Sequence, residues 1–327
     1  MTDRLPVAVD AMGGDHAPAA IVEGARIAAE EFGLPVLLVG DPERMGDTGS
    51  LEVQPASEVV DMGAEPASSV RRLKDSSIVR GAEAVRDGRA AALLSAGNTG
   101  AAMAASLLRM GRIKGVSRPA IAVPFPVPGS TPTTLLDCGA NADCQPEWLV
   151  QFAMMGTVYA RERFGLESPR VGVLTIGEEA GKGNSLVKDA CELLEQPEWA
   201  AQCGADYVGN VEGRDLMIGT ADVIVTDGFT GNVVLKSLEG GYAVFEDSVR
   251  AALVDHPDLV SGTLDPLFEG FDPMRTGAAL LLGTRGVSLI SHGSSSATAI
   301  AHAIATADNL AAIDIVGSVR ETVSPQA

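Results

Sequence analysis

Six glycine-bearing segments in this chain each follow a short apolar run, and each sets polar side chains where that run stops. They are Ala11-Met-Gly-Gly-Asp15, Ala96-Gly-Asn-Thr-Gly100, Cys138-Gly-Ala-Asn141, Ile176-Gly-Glu-Glu-Ala-Gly-Lys-Gly-Asn184, Asp227-Gly-Phe-Thr-Gly-Asn232 and His292-Gly-Ser-Ser-Ser296. Glycine loops that open helices present backbone N–H groups and the positive end of a dipole, which is what a phosphate or another oxyanion needs. One such loop is an ordinary turn; six in one chain point to oxyanion chemistry. Lys182 and Lys236, two of only five lysines, fall in or just after these loops, where either supplies a point charge. His16 and His292 lie at run ends and suit positioning or proton transfer, whereas His302 lies on a helix face and reads as structural. Asn98, Asn141, Asn184 and Asn232 either donate to a developing oxyanion or close their own turns. Asp10, Asp15, Asp137 and Asp227 read as loop-closing or capping carboxylates rather than metal ligands, and Cys138 as a buried reduced thiol.

Several familiar constellations are missing. No G-x-G-x-x-G follows a strand, and the Lys182 loop misses a Walker sequence because Gly177 and Gly181 bracket three residues and Gly183 replaces the magnesium-holding Ser or Thr. There is no G-x-S-x-G elbow, no H-E-x-x-H and no Cys/His pair at zinc spacing. A small oxyanion fits better than a nucleotide.

The elements that must hold these loops are legible from length and periodicity. Leu5–Asp10, Ala91–Ser95, Thr134–Asp137, Arg170–Thr175, Asp222–Thr226 and Val287–Ser291 are short and aliphatic, as strands buried on both faces are. Helical patterns follow over Pro18–Phe32, Ala101–Met110, Pro146–Phe164, Asn184–Glu195, Val233–Ala252 and Ser294–Ala307, with Pro18, Pro146, Asp15 and Ser294 to Ser296 suited to their starts. Strand alternating with helix predicts a mostly parallel sheet, with all six loops at the carboxyl ends of its strands. One α/β domain over residues 1–327 is expected, with a small excursion or helical hairpin at 253–276 and a loop or subdomain in the Pro-rich stretch Pro119–Pro132.

Composition agrees with an α/β enzyme. The 327 residues are 46% hydrophobic but only 4% aromatic. A net charge of −19 repels nucleic acid. Four cysteines without a C-x-x-C pair read as reduced and the protein as cytoplasmic; no apolar stretch reaches membrane-spanning length.

Six ordered motifs, Asp10-Ala-Met-Gly-Gly-Asp-His-Ala-Pro18, Ser95-Ala-Gly-Asn-Thr-Gly-Ala101, Leu136-Asp-Cys-Gly-Ala-Asn141, Ile176 to Asn184, Gly209-Asn-Val-Glu-Gly-Arg-Asp215 and Asp227-Gly-Phe-Thr-Gly-Asn-Val-Val-Leu-Lys236, resemble the acyl-carrier-protein:phosphate acyltransferases, the PlsX family. The resemblance runs from Val7 to about Ala305. It implies a three-layer α/β/α sandwich like that of the phosphotransacetylases and isopropylmalate dehydrogenases. The activity implied is transfer of a long-chain acyl group from acyl-carrier protein to inorganic phosphate, giving acyl phosphate for glycerophospholipid synthesis, without metal, nucleotide or other cofactor. Homodimers and weak peripheral contact with the inner face of the plasma membrane are implied as well. The alternative is a phosphotransacetylase-like enzyme acting on acyl-coenzyme A. On this reading Lys182 takes the phosphate charge, Gly13, Gly14, Asn98, Thr99 and Asn141 hold its oxygens, Asn232 and His292 serve the thioester carbonyl, and His16 shuttles the proton. The sequence departs from the family at Arg275 to Gly283, where relatives usually carry Tyr-Gly-Gly-Ala-Pro-Leu-Leu-Gly, and at Leu253–Asp272, which is acidic where relatives place a basic amphipathic segment.

An acidic carrier protein must dock on an acidic enzyme, and the charge distribution offers a place. Residues 66–136 hold ten cations and three acids, hence +7, against 14 cations and 40 acids elsewhere. Arg109, Arg112, Lys114 and Arg118 are therefore expected to form the docking patch.

Overall fold

The structure, a computed structural model, describes residues 4–265, 267–268 and 278–324. Its contacts gather into two compact units, Met1–Pro119 with Gly277–Ala327, and Ala120–Thr276.

The first unit opens with β1 (Val7–Asp10), α1 (Ala19–Glu30), β2 (Val36–Gly40) and β3 (Glu52–Pro55). It continues through α2 (Ser77–Arg86), β4 (Ala92–Ser95) and α3 (Thr99–Ala105), which runs on as a wider π turn over Ser106–Met110. The chain then builds the second unit from β5 (Ala120–Phe125), β6 (Thr133–Leu136), α4 (Pro146–Phe164), β7 (Arg170–Leu174), α5 (Ser185–Leu194), β8 (Asp206–Val211), β9 (Val223–Val225) and α6 (Gly228–Ala252). It returns to the first unit with β10 (Ala279–Leu282), β11 (Val287–Ile290), α7 (Ala297–Ala312) and α8 (Ile315–Val323).

In the first unit the strand order is β3-β2-β1-β4-β11-β10, parallel except for the β10–β11 pair. Every residue of β1, β2, β4 and β11 is buried; because successive side chains point to opposite faces, both faces of this sheet are covered. Helix α1 closes tightly on α7 at Gly24, where a Cβ would stand 2.6 Å from the carbonyl oxygen of Ala297 and from Ile300 Cβ. In the second unit β6, β9, β7 and β8 run parallel in that order, and β5 pairs antiparallel with β6.

All six expected strands and their following helices are present, with local differences. Strand β5 lies inside the Pro-rich stretch expected to be a loop, with Pro124 opposite Thr134. Helix α1 begins after Pro18 with no side-chain cap, so Asp15 does not cap it; α7 begins after Ser296, whose Oγ accepts from the Ala299 amide at 3.2 Å. Helix α6 starts at Gly228, ahead of the expected Val233. The excursion after α6 folds back on it: Arg250 pairs with both Glu246 (2.6 Å) and Asp265 (2.7 Å), and Phe268 is buried against Tyr242 and Phe245. The departure at Arg275 lies partly outside the described residues, and its remainder forms β10. Among the described residues no single helix is long and apolar enough to cross a membrane. The bent pair α7–α8 passes that test jointly, yet Ile300, Ile304, Leu310, Ile315 and Val319 are core residues.

Candidate active site

In the first unit, sheet register brings three loops to one edge. Asp10, Ser95 and Ile290 are level across β1, β4 and β11, so the loops after them leave from the same carboxyl end, where the strand order reverses between β1 and β4. A buried carboxylate ties two of these loops together. Asp10 accepts from Ser95 Oγ (2.7 Å) and from the Met12 amide (3.3 Å), while Ser95 Oγ accepts from the Gly97 amide (3.1 Å). Burial raises the Asp10 pKa above the ordinary carboxylate range, against hydrogen bonds from Ser77, Ser95 and the loop amides that lower it. Gly13 is packed against this pair: a Cβ there would come within 2.6 Å of Asp10 Oδ2 and 2.9 Å of the Gly97 backbone. Gly14, at φ +122°, supplies the turn that lets the Asp15 amide reach the carbonyl of Gly293 at 2.8 Å. Gly13, Gly14, Asn98, Thr99, His16 and His292 therefore belong to one set of linked loops.

Asn98 spends its whole side chain on structure. Its Oδ1 caps α3 through the Ala101 amide at 2.9 Å, and its Nδ2 donates to the carbonyls of Met62 (2.6 Å) and Ala64 (3.3 Å). What remains for an anion is the backbone of Asn98 and Thr99 at the helix entrance. His292 is exposed, and its Nδ1 accepts from the Ser294 amide (3.3 Å) beside the Ser294 hydroxyl (2.7 Å). In the neutral ring the hydrogen then sits on Nε2, which is free to donate. The i, i+2 spacing of His292 and Ser294 is the sequence signal of this orientation; we read Ser294 from the sequence only as a cap. His16 is exposed.

In the second unit, register sets Leu136, Val225 and Val173 level, and the loops after β6, β9 and β7 leave from one edge. Buried Asp137 organises the first of them. Its Oδ1 accepts from the amides of Ile121 (2.9 Å), Gly139 (3.2 Å) and Ala140 (3.0 Å), and its Oδ2 from the amide (2.7 Å) and Nδ2 (2.8 Å) of Asn141. Burial again raises its pKa, opposed by these same donors. Asn141 thus spends its amide nitrogen on Asp137 and holds the loop. Asn184 caps α5 through the Val187 amide (3.0 Å), and Asp227 caps α6 through the amide and hydroxyl of Thr230, both at 2.8 Å. The start of α6 presses on the Asp137 loop so closely that a Cβ on Gly231 would overlap the Asp137 carbonyl oxygen. This places Asn232 against Gly139, exposed and with no hydrogen bond to its carboxamide among the described residues.

The two candidate lysines differ. Lys236 is paired with Glu239 at 2.7 Å, while Lys182 is exposed, has no ion-pair partner among the described residues and is carried on a loop shaped by Gly181 (φ +84°) and Gly183 (φ +98°). Cys138 is buried, with its thiol pKa pushed well above the usual value by desolvation, so it is no nucleophile. Among the described residues no group of His, Cys, Asp and Glu is arranged to hold a metal. Of the four expected docking cations, Arg112, Lys114 and Arg118 are exposed, and Arg109 is half-buried, 3.7 Å from Glu83 and donating to the carbonyl of Val70 at 3.3 Å.

Solved structures share this architecture. A branched-chain phosphotransacylase from Enterococcus faecalis superposes with a TM-score of 0.61 at 16% identity, covering 93% of this chain and 99% of that one. A phosphotransacetylase from Streptococcus pyogenes superposes at 0.64, also at 16% identity, covering 94% of each chain. The fold class is therefore the three-layer α/β sandwich of the phosphotransacetylases. Sequence is more specific: residues 5–317 match the family model described as "Fatty acid synthesis protein". The phosphate acyltransferase of Pelotomaculum thermopropionicum is 46% identical over 316 residues, covering 93% of this chain and 90% of that protein. That of Elusimicrobium minutum is 43% identical over 335 residues, covering 98% and 96%. The chain belongs to the phosphate acyltransferase family.

Proposed function

We propose that inorganic phosphate, held by this enzyme, attacks the thioester carbon of a long-chain acyl-carrier protein directly. A phosphate oxygen bonds to the carbonyl carbon, the carbonyl oxygen becomes an oxyanion, and collapse breaks the carbon–sulfur bond. Acyl phosphate leaves with the acyl group; the carrier thiolate takes up a proton, and His16 is assigned to relay it. The amides of Gly13, Gly14, Asn98 and Thr99 are assigned to phosphate oxygens, Lys182 to phosphate charge, and Asn232 with Nε2 of His292 to the oxyanion. Asn141 acts through the loop it holds.

One observation carries this reading. Asp10, Ser95, Asn98, Asp137, Asn141, Asn184 and Asp227 are spent on fixing the loops, whereas Lys182, the Asn232 carboxamide and His292 Nε2 are left for a ligand. A buried, protonated Cys138 and the missing serine elbow support direct attack over an acyl-enzyme. Arg109, Arg112, Lys114 and Arg118 are assigned to the acidic carrier, a homodimer to the enzyme in solution, and the segment after α6, with Val254, Leu259 and Leu267 exposed, to weak peripheral membrane contact at the inner face. The test is phosphate-dependent thiol release from palmitoyl-carrier protein by the purified chain. Turnover of palmitoyl-coenzyme A alone would assign the enzyme to the coenzyme A thioesters instead.

A further inference from the structure

Helix α6 carries more exposed apolar surface than a 25-residue helix can leave without purpose: within it only Gly228 and Gly231 are buried. Along it Phe229, Val233, Ser237, Gly241 and Phe245 recur at every fourth position, so they form one continuous row that winds slowly around the axis. The row holds no charge. Phe229 (67% exposed), Val233 (48%) and Phe245 (61%) stand open, with the small residues Ser237 and Gly241 as a low stretch between them. It begins beside Asn232, one turn into the helix, and spans about 24 Å at 1.5 Å per residue.

The far half of this row enters a cavity of about 360 Å³. Its walls are Phe125, Met217, Leu238, Tyr242, Phe245 and Phe268. The Tyr242 hydroxyl is spent on the Phe268 carbonyl, which leaves the Ser237 hydroxyl as the remaining polar side-chain group among the described residues, none of which lines the space with a charge. A phosphate or a headgroup would lose its hydration there without compensation, whereas a hydrocarbon would lose nothing. The volume is that of a ligand site, not a packing flaw.

We propose that this row and cavity bind the acyl chain of the donor, its carbonyl held at Asn232 and its methyl end lodged near Phe245 and Phe268. The proposal rests on the acyl-transfer reading and adds to it a ruler: the length of α6 between Asn232 and Phe245 sets which chains are used well.

Gly241 gives a clean test, because a Cβ there meets nothing within 4 Å and a helical glycine gains helix propensity on replacement. Gly241→Leu fills the low stretch; Gly240→Leu adds the same bulk beside it, also into open space, but outside the cavity lining. Binding is read with cis-parinaric acid, a fatty acid whose fluorescence rises in apolar surroundings. The wild type and Gly240→Leu are expected to bind it, and Gly241→Leu to bind about tenfold or more weakly. In turnover, Gly241→Leu should lower kcat/KM for palmitoyl-carrier protein by a similar factor and spare butyryl-carrier protein. Equal fatty-acid binding by all three proteins, or none by the wild type, overturns the proposal. So does an equal kinetic loss with both donors, or a Gly241→Leu protein that binds fatty acid normally but dissociates to monomers, which would make the row a contact between copies of this chain. Failure of the wild type to use either donor would overturn the carrier-protein reading, and the fluorescence titration would still decide the cavity.

Discussion

Lys182 and Asn232 are assigned different parts of the same reaction, and their variants should fail differently. An ammonium that offsets the charge of a bound dianion acts on the ground state as well as the transition state, so Lys182→Ala should raise the phosphate KM by about tenfold or more. Steady-state kinetics with phosphate varied, on protein shown to be folded by circular dichroism, checks this; an unchanged KM and kcat would end the assignment. A carboxamide that meets an oxygen only once it becomes an oxyanion acts on the transition state. Asn232→Ala should therefore lower kcat by about a hundredfold with little change in phosphate affinity. Normal turnover would reduce Asn232 to a helix residue near a tight turn. The burial of Asp10 and Asp137 belongs to this scale too. Each is a carboxylate kept from solvent by the loop whose amides it collects, so the loops are rigid before any ligand arrives.

At the scale of elements, helix α6 tests how strictly the site is built. Its first turn lies against the Asp137 loop with no room for a methyl group at Gly231, whereas Gly240 faces open space. Gly231→Ala should destabilise the protein by about 1–3 kcal/mol and lower kcat as Asn232 shifts, while Gly240→Ala should stabilise it by about 0.5–1 kcal/mol. Thermal unfolding of the two variants side by side measures the contrast, and matching melting temperatures would mean that the helix can slide away from the loop. Much of this layout was legible beforehand. The aliphatic runs ending at Asp10, Ser95, Leu136 and Leu174 are buried on both faces, and such strands announce themselves by composition alone. Strand β5 was hidden because Pro124 reads as a breaker, and β8 because only Val211 of its residues is buried and Asp206, Gly209 and Asn210 interrupt its apolar pattern. Which asparagine is free was hidden as well. Asn98 and Asn232 look alike in sequence, and only the carbonyls of Met62 and Ala64, more than thirty residues away from Asn98, separate a structural amide from an available one.

At the scale of the whole molecule, charge decides what can approach. The chain carries −19 in total, yet residues 66–136 carry +7, with Arg112, Lys114 and Arg118 exposed. Reversing Arg112 and Lys114 to Glu should raise the KM for acyl-carrier protein several-fold, leave the phosphate KM in place, and matter less at high salt, where exposed charges are screened over about 10 Å at 0.1 M. Unchanged carrier kinetics at low salt would move the docking surface elsewhere. The segment after α6 has no Lys or Arg between Arg250 and Arg275, and offers Val254, Leu259 and Leu267 as exposed apolar groups. Liposome sedimentation should find weak binding that changes little with the anionic lipid fraction; a steep rise would contradict this. The division of the first unit between the two ends of the chain also sets an order of assembly. β11 completes the sheet beside β4, but the ribosome makes it roughly 10–40 s later at ordinary rates of synthesis. The continuous second unit can condense in that interval, while β4 waits with an unpaired edge that invites a chaperone or another nascent chain. Of the six loops the one bearing His292 is made last, so on the roles proposed for these side chains a stalled or truncated chain that keeps a folded Asn232 and Lys182 is still inert.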